Sequence, residues 1–234
     1  CLPAGISGDD LAQLDRVVRS RMPLDAGDAL FHAGDAFEHI FVVRGGCLRT
    51  AQPADDGAEQ LIGFHLPGEL VGLEAISDGR HYLDAVALER TSVCAVPFTQ
   101  LEQVASSVPG LQHQLLRIIS REMAHEQRHL VALGRRVAEQ RLAIFLFSLS
   151  QRLQAAGYPG EAFHLSMSRE DIANYLGLAL ETVSRLFGRM AEDGVIAVER
   201  RDIRILDRVR LSELAGQPDC GPDPQGGEAS SGPL

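Results

Sequence analysis

The sequence predicts an α+β chain: an antiparallel β-roll first, one long helix next, and a small helical domain with a strand hairpin last. Three observations carry this. Short apolar runs cut by glycine fill the stretch from Met22 to Phe98, no proline interrupts the helix formers between Pro109 and Pro159, and residues 168–190 read as helix, tight turn, helix. At 234 residues the chain has room for two modest domains. The expected boundaries are an N-terminal arm with a short helix over 1–21, the β-roll over 22–108, the long helix over 109–138, the helical domain over 139–215 and a disordered tail over 216–234.

Composition narrows the class. A hydrophobic share of 45% with 23% charged residues is ordinary for a globular protein, and no apolar run approaches the ~20 residues that span a bilayer, which points to a cytoplasmic protein. The net charge of −10 repels nucleic acid over the molecule as a whole, so any nucleic-acid reading must come from local sequence. Cys1, Cys47, Cys94 and Cys220 are too scattered for the disulfide framework of a small secreted domain; reduced thiols or metal ligands are expected. The chain opens Cys1-Leu2-Pro3 with neither an initiator methionine nor a signal peptide, so a truncated or processed start is expected, ahead of a lipidated or catalytic Cys1.

In the first half, Ala29-Leu30-Phe31, Ile40-Phe41-Val42-Val43, Leu61-Ile62-Gly63-Phe64, Ala85-Val86-Ala87-Leu88 and Val93-Cys94-Ala95-Val96 are strand-length runs. Gly27, Gly34, Gly45, Gly46, Gly57, Gly68 and Gly79 are expected to supply positive-φ turns between them, and Pro67 and Pro97 mark ladder ends. The result is a small roll or barrel, cupin-like or cyclic-nucleotide-binding-like in class.

The long helix has a sharp period. Leu116, Ile119, Met123, Glu126, Leu130, Leu133 and Val137 recur at steps of three and four and share one stripe, as a dimerisation seam would; a helix packing within its own domain suits the same spacing. The charges at Arg117, Arg121, Arg128, Arg135 and Arg136 favour the narrow seam. Glu126 is the exception: in a parallel two-fold pair it meets its own copy, and like charges in a partly desolvated seam make dimerisation conditional, unless the side chain rotates to solvent. Gly134 and Gly157 mark a soft point and an end.

Residues 168–187 carry the strongest pattern. Ser168 suits a helix cap, Ala173 a close helix crossing, Gly177 a left-handed turn, and Ile172, Leu176, Val183 and Leu186 a shared core. On the second helix Glu181, Ser184 and Arg185 fall at i, i+3 and i+4, on a face away from Val183 and Leu186. Such a trio suits base edges in a major groove: Arg bonds guanine bidentately, Glu accepts from cytosine N4, and Ser serves several edges. Arg169 and Arg189 are better placed for phosphates, as are Arg200, Arg201 and Arg204 on the hairpin from Gly194 to Ile205, which reads as the wing of a winged helix-turn-helix. A helical hairpin without DNA is the plainer alternative for the motif, and solvated surface charge the plainer one for each arginine.

With these parts in this order, the chain resembles the CRP/FNR family of bacterial transcription regulators over nearly its whole length. Phe64-His65-Leu66-Pro67-Gly68-Glu69-Leu70-Val71-Gly72, Thr91-Ser92-Val93-Cys94-Ala95-Val96-Pro97-Phe98 and Glu181-Thr182-Val183-Ser184-Arg185 resemble the oxygen-responsive FNR branch. The resemblance implies that Glu181, Ser184 and Arg185 read TTGAT-type half-sites arranged as a palindrome, that the protein is a homodimer acting on double-stranded DNA, and that RNA polymerase is its protein partner. It also implies a [4Fe-4S] cluster on four thiolates, two of which have counterparts here: Cys1, followed by an apolar residue and proline, and Cys94. The other two ligands are expected upstream; substitution by Cys47 or Cys220, or loss of the cluster, are the remaining readings. Oxygen would then dismantle the cluster and the dimer. No cyclic nucleotide is expected, because Leu83-Asp84 stands where the cyclic-AMP branch has an Arg-Ser pair, and a carboxylate there repels phosphate.

Two rivals remain. One is a cluster-free or haem-sensing regulator of the same architecture, with His65 as a candidate ligand. The other is an enzyme using Cys1 or an Asp-His pair, for which no nucleophile-base-orienter set stands out; the expectation is a non-enzyme.

Overall fold

The computed structural model describes residues 19–54, 57–135 and 137–216. Strands β1 (Arg19–Leu24), β2 (Ala29–Phe31), β3 (His39–Gly45), β4 (Leu48–Pro53), β5 (Glu59–His65), β6 (Leu70–Val71), β7 (Asp84–Ala87) and β8 (Thr91–Pro97) build the roll, with a short 3-10 turn at Leu73–Ala75. They form two four-stranded sheets of order β1-β8-β3-β6 and β2-β7-β4-β5, every pairing antiparallel. Alternation along β8 decides what each sheet face buries: Val93 and Ala95 join Phe31, Phe41, Val43, Leu48 and Ala85 in the interior of the roll, whereas Cys94 and Val96 face the helical layer outside it.

The turn glycines behave as expected with one correction. Gly27, Gly34, Gly46, Gly57, Gly68 and Gly79 have positive φ, but Gly45 does not; it is the last residue of β3 and pairs with Ser92. Gly46 takes the turn instead, at φ 82°, and a Cβ there would stand 2.5 Å from Thr91 Oγ1.

Helix α1 (Phe98–Ser107) and the start of α2 (Pro109–Arg135) cover the outer face of the first sheet, where Leu101, Ala105, Leu111, Leu115 and Ile118 pack on Ile40, Val42, Cys94 and Val96. At 27 residues α2 is roughly 40 Å long. Its other side is bare: Leu116, Met123 and Leu130 are 60%, 55% and 66% exposed, and Glu126 beside them is exposed too.

The seam pattern needs a second correction. Val137 does not continue α2; it is extended (φ −69°, ψ 158°) and caps α3 (Ala138–Ala155), its carbonyl accepting from Arg141 N at 3.1 Å. From there Leu142, Ala143, Phe145 and Leu146 of α3 bury in the core shared with the last domain. Gly134 stays inside α2, and Gly157, at φ 84°, lies just beyond α3.

The last domain contains β9 (Ala162–His164), α4 (Arg169–Leu176), α5 (Leu180–Glu192), β10 (Ile196–Glu199), β11 (Asp202–Ile205) and α6 (Arg208–Ala215), with β10-β11-β9 as a three-stranded sheet. Its core is continuous with the outer face of the roll: Cys47, Ala51, Leu61, Phe64 and Leu66 belong to the same buried cluster as Phe145, Tyr175 and Val183. Phe64, Phe145 and Tyr175 meet with ring centroids 5.1–6.0 Å apart. Cys1, Cys220, Arg136 and the expected short helix and tail lie outside the described residues.

Candidate nucleic-acid interface and sensor cysteine

Local chemistry sets up the helix-turn-helix as its sequence suggested. Ser168 Oγ accepts from Asp171 N at 3.0 Å while Asp171 accepts from Ser168 N at 2.7 Å, a reciprocal cap that satisfies two backbone donors of α4. Gly177 ends α4 at φ 60°, a conformation that costs a β-carbon-bearing residue, and Ala179 begins the second helix. On α5, Val183, Leu186, Phe187 and Met190 are buried, whereas Glu181, Ser184, Arg185 and Arg189 are exposed. Glu181, Ser184 and Arg185 sit together near the N-terminal end of α5, and no hydrogen bond or ion pair within the described residues engages them. An acid, a hydroxyl and a guanidinium thus share one face with their bonding capacity unspent.

Arg169 sits differently. Its guanidinium lies 3.2 Å from the Phe187 ring centroid, its Nη1 is buried with no hydrogen-bond partner, and burial together with nearby Arg201 lowers its pKa to about 10. It remains a cation near neutrality but is stacked on the domain. On the wing, Arg200 turns the hairpin at φ 57°, Arg201 donates to Ser166 O at 3.2 Å, and Arg204 is exposed.

Cys94 lies at the centre of the first sheet's outer face, 7% exposed, paired in register with Val42 on one side and Arg21 on the other. Strand β1 is therefore adjacent to it, and the chain enters β1 at Arg19 beside Ala95. Among the described residues no group of three or more His, Cys, Asp or Glu side chains could hold a metal. The Cys94 thiol is buried in the apolar layer between the sheet and the helices. Cys47 is a poor substitute: burial pushes its thiol up to about 12, and Sγ is 3.6 Å from Leu48 O. His65 has its Nε2 3.1 Å from Thr50 Oγ1, and burial lowers its pKa to about 4, so that nitrogen is already in use. Asp84 accepts from Ala33 N at 2.8 Å and lies 3.4 Å from His32 Nδ1.

Sequence reasoning missed the residues that join the two domains. Asn174 bonds the edge of β5, Arg152 donates to both carboxylate oxygens of Glu69 and to Phe64 O, and Ser166 donates to Glu89 at 2.9 Å. Burial alone would raise the Glu69 carboxyl, but Arg152 and the Leu66 N–H hold it below the usual range. None of these residues has a local pattern that announces a partner more than seventy positions away.

A model of the Crp-like helix-turn-helix domain matches residues 140–214, and one of the cyclic nucleotide-binding domain matches residues 21–107. The chain is 45% identical over 216 residues to the transcriptional activator protein Anr of Pseudomonas protegens, covering 92% of this chain and 88% of that one. It belongs to the CRP/FNR family of transcription regulators. Within the family, the fumarate and nitrate reduction regulatory protein of Escherichia coli is 39% identical over 216 residues, 92% of this chain and 86% of that one. Among solved structures, FixK2 from Bradyrhizobium japonicum superposes with a TM-score of 0.76 at 33% identity, over 83% of this chain and 96% of that one. Like its CRP/FNR relatives, the chain is a DNA-binding transcription regulator and not an enzyme. Among the described residues, no helix is long and apolar enough to cross a membrane.

Proposed function

We propose that the protein is a cytoplasmic, oxygen-responsive regulator that binds palindromic TTGAT-type sites as a homodimer, reading each half-site with Glu181, Ser184 and Arg185. The observation that carries this is the trio itself: three exposed side chains, on one face of the recognition helix, with no side-chain partner among the described residues. Arg189 and Arg204 supply phosphate contacts, and Arg169 joins them by leaving Phe187. The bare stripe of Leu116, Met123 and Leu130 supports the dimer, because exposed apolar side chains at heptad spacing on a roughly 40 Å helix are what a coiled-coil seam leaves on a single protomer. Ile119 and Leu133 flank it, half-buried.

The sensing half of the reading rests on Cys94 with Cys1. Cys94 shares one apolar layer with Leu111, Leu115 and Ile118 of α2, so a thiolate there is packed against the helix that carries the seam. A bound [4Fe-4S] cluster supplies an oxygen-labile tie between the arm and the roll. Docking of the arm favours the dimer, Glu126 opposes it, and a few kcal/mol between them moves a marginal dimer from mostly associated to mostly apart. The names of the Anr and fumarate-nitrate relatives, and the position of Cys94, favour this signal. A cyclic nucleotide is disfavoured, despite the name of the matched domain, because by family resemblance Asp84 stands where the cyclic-AMP branch has an Arg-Ser pair, and a carboxylate there repels phosphate. RNA polymerase is the partner that an activator of this family implies.

The test is anaerobic purification of the chain with its native upstream residues, then iron and sulfide analysis and competition binding to a TTGAT palindrome before and after air. Expected are about four irons per protomer and a loss of DNA binding in air. Iron-free protein that binds the palindrome equally well in both conditions removes the sensing half. Unchanged operator choice after exchange of all three reading residues removes the DNA half.

A further inference from the structure

Beyond the apolar core that the DNA-binding domain shares with the roll, two ties act on how it sits on its protomer. The first is the covalent turn at Val137, whose extended backbone is followed at once by α3. Such a turn by itself leaves the domain free to swing about a few dihedral angles. The second is a hydrogen-bonded clasp to the roll. Strand β5 is the edge of its sheet, with backbone groups unpaired by any further strand. Asn174 fills that edge with its side-chain amide: Oδ1 accepts from Leu61 N at 2.8 Å and Nδ2 donates to Glu59 O at 2.8 Å, the two bonds a neighbouring strand would make. Its own carbonyl accepts from Gln60 Nε2 at 3.1 Å.

The position of this clasp matters as much as its chemistry. Asn174 lies on the last turn of α4, three residues before Gly177 and six before the first residue of α5. Its neighbours Ile172, Ala173, Tyr175 and Leu176 are buried, Tyr175 against Phe64 of the roll, and Asn174 is the residue of that turn whose side chain bonds the roll's backbone. Two arginines act beside it. Arg152 of α3 grips Glu69 and Phe64 O, and Arg141 donates to Leu176 O at 3.0 Å, bracing the turn from the α3 side.

We propose that Asn174 is a positioning residue that sets half-site spacing. In a two-fold dimer the recognition helices must lie one DNA turn apart, about 34–36 Å, and their separation depends on how each domain sits on its own protomer. By tying α4 to the sensor sheet, Asn174 selects one tilt of α5 and therefore one operator spacing. The role rests on the reading of this protein as a homodimer on a palindrome. It adds no contact to DNA, so it acts on two-site binding and leaves one-site binding alone.

The experiment compares the parent chain, Asn174→Leu and Asn174→Asp, each as the dimer. Binding is measured to a single half-site duplex and to palindromes with the half-sites moved apart by zero, one and two base pairs, and amide hydrogen exchange is followed at Leu61. Leu removes both side-chain bonds at similar size; Asp keeps the acceptor for Leu61 N and loses the donor to Glu59 O. Expected for Asn174→Leu is a loss of about tenfold on the best palindrome, single half-site affinity within about twofold of the parent, a flattened spacing profile, and faster exchange at Leu61. Asn174→Asp should fall between the two. A parent-like spacing profile in Asn174→Leu with fast exchange at Leu61 overturns the proposal, and so does an equal loss on half-site and palindrome, which signals damage to the domain itself. A parent chain that binds a palindrome no better than a half-site overturns the dimeric reading, and the spacing role with it.

Discussion

Arg185 and Arg169 are both arginines of the helix-turn-helix, and their surroundings give them opposite prospects. Arg185 is exposed with no partner among the described residues, so a bidentate bond to guanine costs it only side-chain order. Arg185→Ala should therefore weaken the best operator by about 1–3 kcal/mol and relax the choice at one base pair per half-site, as measured by competition with single-substitution operators. If all base pairs kept their rank, Arg185 would be a phosphate contact. Arg169 must first leave the Phe187 face, where its cation has favourable company but its Nη1 has none. Arg169→Ala should weaken all operators alike, and the slope of log affinity against log salt should shrink by about one unit. Ser168 and Gly177 were legible in the sequence because their roles are local: a cap bonds three residues away, and a left-handed turn needs glycine on the spot. Asn174 and Arg152 were not, because each meets its partner only after two domains have packed.

At the scale of the element, the long helix packs His129 on Tyr175 of the last domain and gives its remaining flanks two further duties. One flank buries Leu111, Leu115 and Ile118 on the roll, and the other presents Leu116, Met123, Glu126 and Leu130 to solvent. The three-four spacing revealed the second flank from sequence alone, since one rotation of the helix explains all four residues. It did not reveal the break before Val137, because nothing in Arg135-Arg136-Val137 forbids a helix; beyond it Leu142 and Leu146 bury in the core shared with the last domain. The roll shows the same division. Its strands were readable run by run, whereas the choice of Gly46 over Gly45 for the turn depended on the close approach of Thr91. If the bare stripe is the seam, removing its carboxylate should tighten it. Glu126→Ala should shift sedimentation of the cluster-free protein toward the dimer, by up to tenfold in dissociation constant for about 1.4 kcal/mol of relieved repulsion. An unaltered monomer fraction would mean that Glu126 escapes to solvent.

The whole molecule is held together across domain boundaries by a titratable junction, and that gives its stability a pH dependence of calculable sign. His65 belongs to the roll, and Glu122 and His125 to the long helix, while the Arg152–Glu69 pair that acts on all three spans the roll and α3. Burial, and then Arg152 among the charges, lowers His125 to about 4; burial also lowers His65 to about 4. Between about 6.5 and 4 the unfolded chain takes up a proton at each histidine that the folded chain refuses, so both contributions are intact above pH 6.5 and are lost as pH falls. Glu122 has the opposite sign. Burial, then Glu69, raises it to about 7, so the folded carboxyl holds a proton that the unfolded one releases above its ordinary pKa, and its cost grows as pH rises through that window. With His129 also lowered by burial, three histidines act against one carboxyl, so the fold loses stability on acidification from 6.5 toward 4.5. Glu122→Gln removes the opposing group. Its denaturant midpoint should exceed the parent's at pH 8, fall more steeply below pH 6.5, and meet the parent's near pH 4.5. Parallel curves for the two proteins would show that Glu122 is solvated in the folded chain and that the junction is wetter than its packing implies.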